Sequence, residues 1–292
     1  MKPRYFEYHQ PTSIDDVLEL LSEYGDEAKI LAGGQSLIPM LNFRIASPAH
    51  LIDINGVAGL DQLNLTPEGV QIGATARQRT VENAPEIALS YPLVRRALVQ
   101  VAHPQIRNRG TFCGSVAHAD ASAELPSVVL ALGAQIIARS SRGERTIPAK
   151  DFFEFHLVTA LSADELVVEI QLPPLAAGSN GTYVEIARRA GDFALAGVAA
   201  QAVIDEGGTV QSLRMACSGV GPVPQLLEEA AQLAIGSDLS DELLLEIDNI
   251  VRTTIDPPDD VHASANYRRV VTGTVVRRAL KQLRDESGSN HD

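Results

Sequence analysis

Residues 29–42, KILAGGQSLIPMLN, are the stretch on which the interpretation of this chain depends. The apolar run that ends at Leu31 stops at the pair Gly33-Gly34, a pattern that predicts a short buried strand and then a turn. Two adjacent glycines allow positive φ angles and let the backbone approach a ligand closely. Successive amide N–H groups in such a turn, with the Ser36 hydroxyl, favour a phosphate-binding site. On this segment alone, a strand-to-helix turn capped by Ser36 is the favoured interpretation, since glycine pairs are common in turns.

The overall composition indicates a globular chain of two domains. Its 292 residues exceed the size of one small core, and 45% hydrophobic with 21% charged residues is ordinary for a chain that buries a full core. The formal net charge of −13 argues against nucleic acid as a partner. The chain does not open with a secretory signal, and it contains no apolar run of about 18 residues, so we expect a cytoplasmic protein without membrane insertion.

Several kinds of site are excluded by missing motifs. The chain has two cysteines, Cys113 and Cys217, whereas an iron–sulfur cluster needs four protein ligands. It has no C-x-x-C pair and no H-E-x-x-H, so we expect no metal ligands. P-loop, Rossmann and G-x-S-x-G motifs are also absent, and we assign no catalytic residue.

A second stretch, residues 103–120, HPQIRNRGTFCGSVAHAD, shows no clear period and predicts a long loop. Loops of this length in compact domains are usually functional. Arg107 and Arg109 are expected either to neutralise phosphates or to lie on a solvated face. We interpret Cys113 as a small packed residue rather than a redox thiol or a flavin attachment point.

The end of this stretch contains carboxylates whose role the sequence leaves open. His118, Asp120 and Glu124 could be a metal cluster, but a hydrogen-bonded loop leading into a helix is the simpler interpretation. Asp120 is better placed to accept hydrogen bonds from a ribose hydroxyl. Together, the glycines of the two loops predict that both loops grip one pyrophosphate of a dinucleotide.

The pattern of apolar segments predicts a domain boundary at Pro173-Pro174 and the small residues after it. The part before the boundary alternates strands and helices, which is typical of an α+β or α/β domain. The part after it predicts an antiparallel sheet with helices on one face, the helices covering residues 225–235, 241–254 and 265–285.

The two loops also carry a resemblance to a known family. ILAGGQSLIPMLN, followed by IRNRGTFCGSVAHADASAELP, resembles the FAD-binding medium subunit of the xanthine dehydrogenase and carbon monoxide dehydrogenase family of molybdenum hydroxylases. Farther on, TYVEIARRAGDFALAGVAA resembles the start of that family's flavoprotein C-terminal domain. The resemblance covers nearly the whole chain.

The resemblance implies an α+β fold in two domains. Residues 1–176 would form a vanillyl-alcohol-oxidase (PCMH-type) FAD-binding domain with two α+β subdomains, about 1–57 and 58–176, and FAD between them. Residues 177–292 would form a domain like the CO dehydrogenase flavoprotein C-terminal domain, an antiparallel sheet with helices.

The resemblance further implies which residues bind FAD. Residues 32–36 and 110–115 would hold the pyrophosphate through backbone amides, Asp120 would bind the ribose, and the backbone near Leu161 and Leu166 would lie close to the flavin ring. The full expected set is Leu31, Ala32, Gly33, Gly34, Gln35, Ser36, Leu37, Gly110, Thr111, Cys113, Gly114, Ser115, Asp120, Leu161, Leu166 and Arg188.

Two departures from the family pattern alter these expectations. The second loop, often T-I-G-G-N in the family, is TFCGS here, so Phe112 and Cys113 are expected to change the contact with the flavin face but not FAD binding. Glu185 stands where some relatives carry a lysine, so we expect no cationic flavin contact there, while Arg188 and Asp192 match the pattern.

The function implied by the resemblance is divided among three chains. A molybdopterin-containing large subunit would hydroxylate the substrate, and a small subunit with two-iron clusters would pass electrons to this chain's FAD, in a dimer of heterotrimers. FAD would then reduce an external acceptor. The alternatives are a stand-alone flavin oxidase of the same fold and a non-catalytic assembly or binding subunit. We expect Gly33→Val to abolish FAD retention while leaving the fold intact.

Overall fold

In the computed structural model, which describes residues 1–288, the chain forms three main β-sheets with helices packed against them. The last four residues of the predicted second domain, 289–292, lie outside this range. The strands are β1 (Glu7–His9), β2 (Ala28–Leu31), β3 (His50–Asp53), β4 (Leu63–Thr66), β5 (Gly69–Gly73), β6 (Gln135–Ser140), β7 (Gly143–Pro148), β8 (Phe153–Phe155), β9 (Val158–Thr159), β10 (Leu166–Leu172), β11 (Ser179–Ala187), β12 (Ala194–Ile204), β13 (Val210–Ser218) and β14 (Gln225–Leu226).

The helices alternate with these strands in the first part of the chain and follow them in the second. They are α1 (Ile14–Tyr24), α2 (Leu37–Asn42), α3 (Gln78–Asn83), α4 (Pro85–Ser90), α5 (Pro92–Leu98), α6 (Pro104–Arg107), α7 (Phe112–His118), α8 (Glu124–Leu132), α9 (Glu228–Ala234), α10 (Asp241–Thr254) and α11 (Ala265–Gly288). Among residues 1–288, no helix combines the length and apolar character needed to cross a membrane.

The first sheet is parallel throughout, in the order β1-β3-β2. Helix α1 is preceded by Ser13, whose hydroxyl accepts a hydrogen bond from the Asp16 amide at 3.1 Å and so caps the helix. The apolar face of α1, which includes Val17, shares a buried cluster with Ile52 of β3 and Ile137 of β6. One core therefore joins the first sheet to the second.

The second sheet is antiparallel, in the order β4-β5-β10-β6-β7. The largest buried cluster includes residues of this sheet and of helices α5, α7 and α8. All nine residues of α8 are buried. A helix without an exposed face needs neighbours on every side, and α8 contacts α5 and α7 as well as β12 and β13.

The third sheet, β11-β12-β13-β14, is the antiparallel sheet predicted for the second part of the chain. Helices α9, α10 and α11 share a core with one of its faces, as the sequence predicted. The first of them is shorter than the predicted helix at 225–235, because residues 225–226 pair with β13 as strand β14. Its other face joins the core of the first part through Tyr183, Ala199 and Ala216. Burial on both faces explains why β12, ALAGVAAQAVI, is apolar and small along most of its length.

The structure corrects the expectation of a long irregular loop at residues 103–120. The short helices α6 and α7 occupy most of it. The Thr111 side chain caps α7 by accepting a hydrogen bond from the Gly114 amide at 3.1 Å. Each of these helices has at most about two turns, so neither contains enough apolar residues for a helical period to be recognised in the sequence.

Candidate functional site

A cleft of about 850 Å³ is lined by both glycine loops and by the β8–β10 region. Gly191 and Phe193, from the turn between β11 and β12, also line it, so the second part of the chain contributes to its wall. Pockets for ligands are typically ~300–1,000 Å³, and this cleft lies toward the upper end, as a large cofactor requires.

The first loop presents hydrogen-bond donors to this cleft. Gly34 has a φ of 72°, and the loop leads directly into α2. Within residues 1–288, the amide N–H groups of Gly34, Gln35 and Ser36 donate no hydrogen bond to another group of the chain. Adjacent amides without an internal acceptor at the start of a helix fit an anionic group such as a pyrophosphate.

Most amides of the second loop are used inside the protein. The N–H of Gly110 donates to the Ile106 carbonyl at 2.7 Å, and the N–H of Phe112 donates to the Ala76 carbonyl at 3.0 Å. The amide of Ser115 donates to the Thr111 carbonyl at 3.2 Å. These bonds fix the shape of the second loop, so the first loop supplies more of the unpaired donors.

The two loops pack directly against each other at Gly33. A Cβ atom on Gly33 would lie 2.7 Å from the Arg109 carbonyl oxygen and from Gly110 Cα, and 2.9 Å from the Thr111 nitrogen. Real Cβ atoms do not approach backbone atoms so closely, so this position excludes every side chain. The steric reason for glycine here is therefore the neighbouring loop, which changes the expected effect of Gly33→Val from loss of FAD alone to disruption of the loop packing.

A polar network that the sequence analysis missed ties the loops together. Arg77 donates one hydrogen bond to the Arg109 carbonyl and another to Asn55 Oδ1, at 2.6 Å. Asn55 Nδ2 in turn donates to the Ala32 carbonyl at 2.8 Å. The sequence marks Asn55-Gly56 as the end of a strand, but nothing in it links these residues to Arg77.

All but two of the predicted FAD-binding residues line the cleft. The members present are Ala32, Gly33, Gly34, Gln35, Ser36, Leu37, Gly110, Thr111, Cys113, Gly114, Ser115, Asp120, Leu161 and Leu166. Leu31 and Arg188 are not part of this lining. Arg188 instead forms an ion pair with Asp192 at 3.4 Å and lies 3.0 Å from His262 Nδ1.

Arg107 has a role that neither sequence expectation described. Its side chain is buried, and its Nε pairs with Glu82 Oε2 at 2.8 Å. It also donates to the Val101 carbonyl at 2.7 Å. Arg107 thus stabilises the segment before the second loop, whereas Arg109 is exposed and lies outside the lining of the cleft.

Cys113 is packed, as the sequence interpretation favoured. It is 2% exposed, and its Sγ donates to the Ile72 carbonyl at 3.2 Å. Burial raises the pKa of the Cys113 thiol, which keeps it protonated and poorly nucleophilic. The residue therefore acts as a packed part of the cleft wall.

The acidic residues after the second loop lie in different surroundings. Asp120 forms a local turn, in which its Oδ1 accepts from the Ser122 amide at 2.9 Å. Glu124 is 4% exposed, and burial, reinforced by the charge of Glu185, raises its pKa to about 8. Burial also raises the pKa of Glu185 to about 7, against the opposing effect of the Tyr183 hydroxyl. The wall of the cleft thus includes a carboxyl group that holds its proton near neutral pH.

Comparison with known proteins agrees with this architecture. The family described as the FAD binding domain in molybdopterin dehydrogenase matches residues 4–175, and the CO dehydrogenase flavoprotein C-terminal domain matches residues 181–283. The 6-hydroxypseudooxynicotine dehydrogenase complex subunit alpha of Paenarthrobacter nicotinovorans is 42% identical over 96% of this chain and 95% of its own length.

Solved structures of similar proteins superimpose over almost the entire chain. Carbon monoxide dehydrogenase from Hydrogenophaga pseudoflava gives a TM-score of 0.93 at 36% identity, covering 96% of this chain and 98% of its own. Quinoline 2-oxidoreductase from Pseudomonas putida 86 gives a TM-score of 0.93 at 31% identity, covering 99% of this chain and 100% of its own.

The agreement extends over both parts of the chain, and the unpaired amides of the first loop fit the diphosphate of a dinucleotide cofactor. The chain therefore belongs to the FAD-binding medium subunits of the molybdenum hydroxylase family, as a flavoprotein subunit of an oxidoreductase with FAD as its cofactor.

Proposed function

We propose that this chain carries FAD within a heteromeric molybdenum hydroxylase, where it receives electrons from iron–sulfur clusters of a partner and passes them to an external acceptor. The partners are a large molybdopterin-containing subunit and a small subunit with two-iron clusters, assembled as a dimer of heterotrimers. The observation that carries the proposal is the cleft lined by the unpaired amides of the first loop.

The residues of the cleft divide the work of binding FAD. The amides of Gly34, Gln35 and Ser36 would hold the pyrophosphate, and Asp120 would accept hydrogen bonds from the ribose. The backbone near Leu161 and Leu166 would lie close to the flavin ring. When bound, FAD supplies a redox group able to exchange electrons singly or in pairs, and the protein supplies binding and orientation.

The cysteine content supports a source of electrons on another chain. Cys113 and Cys217 are both buried free thiols, and the whole sequence contains no other cysteine. An iron–sulfur cluster needs more protein ligands than two thiols. Electrons that arrive through such clusters must therefore come from a partner subunit.

Exposed apolar side chains next to the cleft support docking of a partner. Phe43 is 65% exposed and Ile45 73% exposed, directly after α2, the helix that follows the first loop. Large apolar side chains grouped on a surface commonly mark protein interfaces. We infer that this face, near the first loop, contributes to the contact with another subunit.

The test is to express this chain with its candidate partners, purify the assembly through a tag on this chain, and measure molybdenum, iron and flavin. We expect all three in fixed proportion, and bleaching of the flavin band when substrate reduces the molybdenum subunit anaerobically. Substrate turnover by this chain with FAD alone would instead establish a stand-alone oxidase. A folded chain that binds no flavin, alone or assembled, would indicate a non-catalytic subunit.

A further inference from the structure

Three side chains that the sequence did not connect meet on the first sheet. Glu7 and His9 lie on β1, and His50 begins β3. The parallel register pairs Glu7 with His50, and side chains two residues apart on a strand share one face. Glu7, His9 and His50 therefore lie on the same face, although His9 and His50 are 41 residues apart in the chain.

The donor atoms of these residues are close together. His9 Nε2 lies 3.0 Å from His50 Nδ1, and Glu7 Oε2 lies 3.7 Å from His50 Nδ1. All three donor atoms lie within 4.8 Å of one another. In a tetrahedral zinc site with metal–nitrogen bonds of ~2.0–2.1 Å, neighbouring ligand atoms are ~3.3 Å apart. The observed spacing needs only small side-chain movements to reach this geometry.

The ring of His50 is held in position by its surroundings. Tyr24, at the end of α1, stacks on it with ring centroids 3.7 Å apart and an angle of 4° between the planes. The His50 side chain is 14% exposed, while Glu7 is 56% exposed, so an ion can reach the cluster from solvent. An oriented imidazole beside an accessible carboxylate is the arrangement that a surface metal site requires.

We propose that Glu7, His9 and His50 bind a first-row divalent transition-metal ion, with zinc as the best match. Two imidazoles and one carboxylate form a nitrogen and oxygen donor set that suits zinc and its neighbours rather than calcium or magnesium. Water completes the coordination. Among the described residues this is the one group of three such side chains with metal-ligand spacing, and it differs from the sequence expectation of no metal ligand.

The consequence of binding is structural. Strand β1 has three residues and forms an edge of the first sheet, and the ion would connect it directly to the central strand β3. Binding to the folded state alone stabilises that state by mass action. The ion therefore fastens the N-terminal strand, at a place separate from the FAD cleft, whose lining contains none of the three ligands.

The experiment uses the full chain without a polyhistidine tag, treated with a chelator and then desalted. Zn²⁺ is titrated by calorimetry into the wild type and into His9→Gln, Glu7→Gln and His50→Gln. We expect one ion per wild-type chain with a dissociation constant of micromolar order, and at least tenfold weaker binding in both histidine variants. His103→Gln, which removes an exposed histidine elsewhere, should bind as the wild type does.

Thermal unfolding provides the second measurement. Zn²⁺ should raise the Tm of the wild type and of His103→Gln by several degrees, and should raise the Tm of His9→Gln by clearly less. His9→Gln retains the stacked Tyr24–His50 pair, so it stays informative even if His50→Gln folds poorly. Absence of binding at 1 mM Zn²⁺ in the wild type, or equal binding by His9→Gln, would overturn the proposal.

Discussion

The two glycine loops of the cleft have similar compositions but different hydrogen-bonding states. In the first loop, the amides of Gly34, Gln35 and Ser36 have no acceptor within the described part of the chain. In the second loop, the amides of Gly110 and Phe112 donate to the carbonyls of Ile106 and Ala76. One loop offers donors to a ligand, and the other is a rigid wall against which the first is held.

This difference shows that a glycine can serve a ligand site by two physical routes. Gly34 has a positive φ that shapes the first loop, whereas Gly33 allows the two loops to touch. Arg77 and Asn55 then connect the loops from the side. The donor geometry of the first loop thus depends on contacts with the second.

The largest effect is expected from Gly33→Val. The new side chain would meet the backbone of the second loop, whose fixed hydrogen bonds limit its movement, so both FAD binding and loop packing should be lost. Overpacking of this kind costs ~1–3 kcal/mol or more. We expect FAD content below a tenth of the wild-type value together with a lower Tm, measured by absorbance after desalting and by calorimetry.

Gly56→Ala is the matched control. Its Cβ would lie 3.6 Å from the Pro11 carbonyl, an ordinary contact, and its φ is not positive. FAD content and Tm should both stay close to wild type. Full flavin content and an unchanged Tm in Gly33→Val would show that the loops do not pack as described.

A smaller effect is expected from Arg77→Met, which keeps the length of the side chain but removes the hydrogen bonds to both loops. A hydrogen bond made by a charged group contributes ~1.5–3 kcal/mol to the free energy of unfolding. We expect FAD to bind about tenfold or more weakly, since part of that energy positions the first loop. Flavin fluorescence during titration of the apoprotein measures the affinity.

Arg109→Ala tests whether Arg77 supports FAD binding through its hydrogen bonds to the loops or only through its positive charge. Arg77 uses only the backbone carbonyl of Arg109, and the Arg109 side chain is exposed. The variant should therefore bind FAD within about twofold of wild type. Equal weakening in the two variants would instead indicate long-range attraction of the phosphates.

The smallest effect concerns the protonated carboxyl after the second loop. The pKa of Glu124 rises from 4.5 to about 8, so the folded protein binds a proton that the unfolded chain releases between these values. The stability from this group is complete below about pH 4.5 and is lost as the pH rises through about 8. Glu124→Gln, which mimics the protonated form, should remove this loss.

Unfolding at pH 6 and pH 9 measures the difference. We expect the stability advantage of Glu124→Gln over the wild type to be larger at pH 9 than at pH 6, by on the order of 1–2 kcal/mol. Glu144→Gln, at an exposed position of β7, should show no such change with pH. The same pH profile in wild type and Glu124→Gln would mean that Glu124 is charged in the folded protein.

Elements with strong local signals were predictable from the sequence. Helix α10 has the predicted bounds, Asp241–Thr254, because Ser240 caps it and its apolar residues follow a helical period. The long helix after it begins at Ala265, as predicted, and continues to Gly288. The short helices α6 and α7 were missed because their first turns depend on contacts from other segments, such as the bond from Phe112 to Ala76.

Site residues that act through local backbone geometry were also predictable, whereas those that depend on distant segments were not. The first loop was recognisable because its glycines, amides and serine act through local backbone geometry. Arg107 was not, since its partner Glu82 lies 25 residues away and only tertiary packing buries the pair. Phe193 was missed for a similar reason, because the turn that carries it reaches the cleft only after the third sheet packs on α8.

The sequence by itself therefore determined the α+β arrangement, the two glycine loops and the FAD-binding family, since these depend on local propensity and on short contiguous motifs. The tertiary structure decided which amides remain unpaired, how Arg77 links the loops, why Glu124 holds a proton, and that Glu7, His9 and His50 meet. Each of these depends on segments far apart in the chain, and the free energy of a buried or paired group is set by neighbours that no local pattern specifies.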